Sequence, residues 1–119
     1  MNYKILVIDD NDYITSTLKM SIEKEGYQVY TKENGKQAID WLTENSVDLI
    51  ITDINMPKMD GFEFMEHLKK DEGMAKIPVL ILTTQVDSKE KARESGAKGF
   101  LIKPFSTRKL ISTIKKILP

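Results

Sequence analysis

The chain has 119 residues, enough for one domain with a core of its own. Its 18 basic and 18 acidic side chains cancel, which speaks against a broad nucleic-acid surface, and without cysteine it has neither a disulfide framework nor a thiolate metal site. No apolar run approaches the ~20 residues of a membrane span, and the short run after Tyr3 turns acidic too soon for a signal peptide; the expectation is a cytoplasmic protein that engages neither membrane nor nucleic acid.

In chain order, Lys4 to Ile8 is apolar and β-branched and predicts a buried strand that stops at Asp9-Asp10. From Asp12 to Glu25, Ile14, Leu18 and Ile22 recur every fourth position and predict a helix, with Asn11 or Asp12 as its cap and Gly26 as its left-handed stop. Tyr27 to Thr31 predicts a short, partly exposed strand. Asn34-Gly35 marks a turn, and Ala38, Ile39 and Leu42 a second helix flanked by Trp41. Val47 to Thr52 is an apolar run interrupted only by Asp48, so it predicts a strand buried on both faces, ending abruptly at Asp53. A loop containing Pro57 follows. Phe62, Met65 and Leu68 then predict a third helix, Ile77 to Leu82 a fourth strand ending in Thr83-Thr84, and Ser88 to Ser95 a short charged helix stopped by Gly96. Phe100 to Ile102 predicts a fifth strand ending in Lys103-Pro104, and Ser106 caps a last helix carrying Leu110, Ile111, Ile114, Ile117 and Leu118. Strand and helix alternate five times, which predicts a parallel sheet with helices on both faces and one domain over residues 1–119.

The polar residues collect at the strand ends. Asp9 and Asp10 follow strand one, Asp53 strand three, Thr83 strand four and Lys103 strand five. Taken singly, each has an ordinary reading as a helix cap, a turn residue, a β-former or a solvated lysine. Together they fall on the same edge of a parallel sheet, the edge where open α/β sheets bind ligands. Three carboxylates in one crevice repel one another, and a divalent cation with a preference for oxygen ligands, such as Mg²⁺, relieves that repulsion. With Lys103 and Thr83 available for phosphoryl oxygens, Asp53 has the surroundings of a carboxylate nucleophile that accepts a phosphoryl group. His67 is the only histidine, with no second one at metal spacing, and reads as a surface residue of the third helix. Lys69-Lys70 and Lys115-Lys116 read as solvated helix faces, and one of Met56 and Met59 as a plug beneath the Pro57 loop.

The motifs Val7-Ile8-Asp9-Asp10, Ile50-Ile51-Thr52-Asp53 with Met56-Pro57-Lys58-Met59-Asp60-Gly61 after it, Ile81-Leu82-Thr83-Thr84, and Gly99-Phe100-Leu101-Ile102-Lys103-Pro104-Phe105 resemble the receiver domain of bacterial two-component response regulators in its single-domain, CheY-like form. The resemblance spans essentially the whole chain. It implies an α/β fold, a flavodoxin-like, doubly wound five-stranded parallel sheet in the order 2-1-3-4-5. It implies that a sensor histidine kinase or phosphotransfer protein donates a phosphoryl group to Asp53. Asp10 and Asp53 would then be direct Mg²⁺ ligands, with Mn²⁺ able to replace the ion, Asp9 would act through water and the backbone carbonyl of Asn55 would be a further ligand. Thr83 would turn inward on phosphorylation, Lys103 would pair with the phosphoryl group, and the Lys103-Pro104 bond would be cis. Phe100 falls at the switch aromatic. Having no hydroxyl, it would act by packing into the space Thr83 vacates. Asn55 and Gln85 would border the hydrolytic water and, being neither carboxylates nor strong bases, give slow self-dephosphorylation. The chain would be a signalling phosphoacceptor and not an enzyme with a separate substrate. Its output would pass through the face made by helix 4, strand 5 and helix 5 to a downstream protein, in chemotaxis-like or phosphorelay signalling; with no DNA-binding extension in the sequence, direct transcriptional control is not expected.

Three other readings compete. A hydrolase of the haloacid dehalogenase type would need an acid at position 55, where Asn55 stands. A flavin module would need a phosphate cradle after strand one, where Asp9 to Asp12 would repel phosphate. A degenerate receiver that only binds partners would have lost some of Asp10, Asp53, Thr83 and Lys103, all of which are present.

Overall fold

The computed structural model describes residues 2–84 and 89–118. Strands β1 (Lys4–Ile8), β2 (Gln28–Lys32), β3 (Leu49–Asp53), β4 (Val79–Thr83) and β5 (Gly99–Ile102) form one parallel sheet in the order β2-β1-β3-β4-β5. Helices α1 (Asp12–Glu23), α2 (Gly35–Leu42), α3 (Gly61–Lys69), α4 (Lys89–Glu94) and α5 (Thr107–Ile117) alternate with them, so the expected architecture holds. The sheet carries a core on each face. Val7, Ile51 and Leu82 pack with Leu18 and Ile22 of α1 and Leu110 and Ile114 of α5. Leu6, Ile50 and Ile81 pack with α2 and α3, and with Ala92 of α4. The central strands are apolar without alternation because both faces are covered.

Side chains set the helix starts. Asn11, Asn34, Asp60 and Ser106 each accept a hydrogen bond from the backbone N–H three residues on, and Glu63 closes a capping box back to the Asp60 N–H. Gly26 and Gly96 stop α1 and α4 at φ +96° and +93°, the left-handed region glycine tolerates.

The element ends differ from the sequence expectation for identifiable reasons. β4 starts at Val79 and not at Ile77, because the preceding residues form a 3-10 turn, Met74–Lys76, closed by the Ile77 N–H on the Met74 carbonyl, and Pro78 has no N–H to donate. β3 starts at Leu49 because Asp48 is engaged with Lys4 through both backbone and side chain. In α3 the residue driven into the core is Phe64, wholly buried beside Met65 and Leu68. Phe62, expected in that stripe, is only half-buried and lies under the Lys91 ammonium, 4.5 Å from its ring centre. His67 is exposed, and Trp41 packs at the edge of α2 with its ring 5.1 Å from that of Tyr30.

Candidate active site

Parallel pairing puts the C-terminal ends of the strands on one edge. The register aligns Ile8 with Thr52, Asp53 with Leu82 and Thr83 with Ile102, so Asp9, Asp53, Thr83 and Lys103 all stand at that edge. The Lys103 N–H donates to the Thr83 carbonyl at 2.8 Å, which ties the ends of β4 and β5 together. The Lys103-Pro104 bond is cis, as the resemblance implies.

Lys103 is the centre of the constellation. Its Nζ lies 3.4 Å from Asp9 Oδ2 and 3.3 Å from Asp53 Oδ2. Each carboxylate has its other oxygen on a backbone N–H: Asp9 Oδ1 accepts from Asn11 at 3.0 Å, and Asp53 Oδ1 from Ile54 at 2.7 Å. All three side chains are largely withdrawn from water, at 4% exposure for Asp9, 15% for Asp53 and 19% for Lys103. Burial pushes the Asp9 carboxyl above its ordinary value. The Asn11 N–H and Lys103 oppose that shift, and the Asp53 charge adds to it. Two carboxylates thus share one ammonium in a poorly hydrated place.

The other expected residues are arranged less tightly. Thr83 is wholly buried at the end of β4. Phe100, beside Ile81 in the register, is half-buried and packs on the α4 side of the sheet. Asp10 and Asn55 are exposed, and Gln85 lies outside the described residues. Among the described residues no three carboxylate or imidazole groups are drawn close enough to form a ready metal cage. Three contributors were not legible as such. Asn11 holds Asp9 through its backbone N–H, which any residue type would supply. Gly61 lets α3 start against the Asp53 backbone: a Cβ there would meet the Asp53 carbonyl oxygen at 2.6 Å and Ile54 Cα at 2.9 Å. Thr52 reads in sequence as one more β-former, but its hydroxyl faces the Asp53 carbonyl at 3.0 Å.

The donors fit a hard divalent cation. Asp9, Asp10 and Asp53 and the Asn55 carbonyl offer only oxygen, no cysteine is present, and the one histidine is exposed on α3. Two carboxylates lie against the single Lys103 ammonium, an excess of negative charge that such an ion would offset.

Known proteins resemble this chain over almost its whole length. A profile of the response regulator receiver domain matches residues 5–115. The chain is 37% identical to the alkaline phosphatase synthesis transcriptional regulatory protein PhoP of Bacillus subtilis, over 99% of this chain and 49% of that protein. The chain spans about half the length of the curated relatives it matches. It superposes on the chemotaxis response regulator CheY4 of Vibrio cholerae with a TM-score of 0.93 at 32% identity, covering 99% of this chain and 100% of the other. It is also similar to the response regulator TrrA of Thermotoga maritima, solved in complex with Mg²⁺-BeF, with a TM-score of 0.88 at 30% identity over 99% and 100% of the two chains. The profile runs from β1 into α5, and whole receivers superpose on this sheet: the chain belongs to the response regulator receiver domain family of two-component systems.

Proposed function

We propose that Asp53 is the phosphoacceptor of the receiver domain formed by residues 1–119, and that its phosphorylation by a sensor histidine kinase or phosphotransfer protein switches binding to a downstream protein. Receiver domains in general use Mg²⁺ for phosphorylation and interact with histidine kinases and downstream targets. The observation that carries the proposal here is the convergence of Asp53 and Asp9 on the Lys103 ammonium at the sheet edge.

In the transfer, a carboxylate oxygen of Asp53 forms a bond to phosphorus as the phosphorus–nitrogen bond of a phosphohistidine breaks. The departing imidazole nitrogen keeps that electron pair and takes up a proton. The Ile54 N–H and Lys103 already hold the Asp53 carboxylate in one orientation, so little reorganisation precedes attack. Lys103 then moves its charge from carboxylate to phosphoryl oxygen, a charge-assisted contact of the same kind. Asp10 and Asp53, with Asp9 and the Asn55 carbonyl, would hold Mg²⁺ or Mn²⁺. When bound, the ion supplies charge neutralisation that lets an anion approach an anionic donor. The chain catalyses its own phosphorylation and slow self-dephosphorylation, tuned by Asn55 and Gln85, and turns over no separate substrate.

The switch follows from added charge and acceptors at Asp53. Thr83 turns toward the phosphoryl group and Phe100 packs into the vacated space, altering the face made by α4, β5 and α5. Beryllofluoride with Mg²⁺ tests this by two-dimensional amide NMR. The expected response is a shift of resonances at Asp53, Thr83 and Lys103 and along β5. A spectrum unchanged at saturating beryllofluoride contradicts the proposal and favours a phosphorylation-independent binding module.

A further inference from the structure

Thr52 is a buried hydroxyl in an apolar place. It is wholly inaccessible, and the register sets Ile8 on one side of it and Ile81 on the other, both in the core against α2 and α3. A hydroxyl buried there costs free energy unless it is hydrogen-bonded. Its partners lie ahead of it in the chain: the Asp53 carbonyl oxygen at 3.0 Å and Met56 Sδ at 3.7 Å. One proton serves two acceptors, and both belong to the turn that leaves β3.

That turn is held at its far side as well. The Gly61 N–H donates to the Ile54 carbonyl at 2.8 Å, and the Met59 N–H to the Pro57 carbonyl at 2.7 Å. Between these ties Lys58 sits at φ 69°, the left-handed region that non-glycine residues rarely adopt and that persists only when the surroundings enforce it. Asn55 is exposed on the same turn.

We infer that Thr52 is a positioning residue: its hydroxyl pins the Asp53 carbonyl and Met56, and so fixes the 54–59 turn with the Asn55 carbonyl directed to the metal site. Metal affinity, as distinct from stability, depends on it. The metal part of this inference rests on the functional reading above; the hold on the turn does not. Valine has the shape of threonine and suits Ile8 and Ile81, so Thr52→Val removes the hydroxyl and its hydrogen bonds while keeping the packing.

The test compares wild type, Thr52→Val and Thr52→Ser in two measurements. The first is amide hydrogen exchange at residues 54–59 without metal. The second is titration with Mg²⁺ alone, followed by amide NMR. Thr52→Val is expected to lower the melting temperature only slightly, to speed exchange in the turn, and to bind Mg²⁺ about tenfold more weakly, the low end for outer partners of a metal site. Thr52→Ser, which keeps the hydroxyl, is expected to stay near wild type in both. Unchanged exchange and affinity in Thr52→Val, or a Thr52→Ser as impaired as Thr52→Val, overturns the inference. A wild type without saturable Mg²⁺ binding overturns the metal part together with the functional reading, while the exchange measurement still decides the hold on the turn.

Discussion

Among the described residues, Lys103 is the ammonium that both Asp9 and Asp53 face. Its ammonium neutralises only one of the two carboxylates within 3.4 Å of it, and both are largely out of water. Removing one partner of such a cluster leaves uncompensated buried charge. Lys103→Met is therefore expected to destabilise the metal-free protein by about 2 kcal/mol, near the cost of a buried charged group left unsatisfied. Asp9→Asn in the same chain is expected to recover part of that loss, and denaturant unfolding of the two single variants and the double variant measures the coupling. A Lys103→Met variant as stable as wild type would show that the carboxylates are solvated and the pairing incidental. These residues were legible in the sequence because each is a polar side chain at the end of an apolar run. Asn11 and Thr52 were not: one acts through its backbone, and the other looks like any β-branched residue until its hydroxyl is seen facing the turn.

At the scale of elements, α3 and β3 form one unit around Asp53. Asp60 and Glu63 cap α3, and the helix begins so close to the Asp53 carbonyl that only glycine fits at position 61. Gly61→Ala must push α3 away from the Asp53 backbone. The expectation is a destabilisation of about 1–3 kcal/mol, the usual cost of overpacking, read by thermal unfolding. An Ala variant with wild-type stability would mean that the helix start yields freely. Strand and helix existence was legible because β1, β3 and β4 are short apolar runs between turn residues. The boundaries were not, since they depend on partners: Asp48 is drawn to Lys4, and Met74–Lys76 closes a turn before Pro78. The choice of Phe64 over Phe62 for the core was likewise hidden, because the two stand on opposite sides of the helix and each has apolar residues at helical spacing, Met65 for Phe62 and Leu68 for Phe64.

At the scale of the molecule, two cores cover the central strands on both faces, while the β5 side is packed more lightly. α4 has six residues, β5 is an edge strand, and Ile102 is 38% exposed. A charge added at Asp53 would therefore act beside a base buried on both faces and a more exposed flank, where a shift in population between two arrangements would be read. The placement of Asp9, Asp53, Thr83 and Lys103 at one edge followed from strand alternation, since parallel strands send all their C-terminal ends to one edge, whereas the order of the strands came from the family resemblance. What docks on the flank was not legible, because exposed residues carry no periodic signal. The central claim, that Asp53 is the phosphoacceptor, is tested most directly by intact-protein mass measurement after incubation with acetyl phosphate and Mg²⁺. The account predicts that wild type gains the mass of one phosphoryl group, only when Mg²⁺ is present, and that Asp53→Asn gains none. An unmodified wild type, or an Asp53→Asn variant modified as fully as wild type, would contradict it.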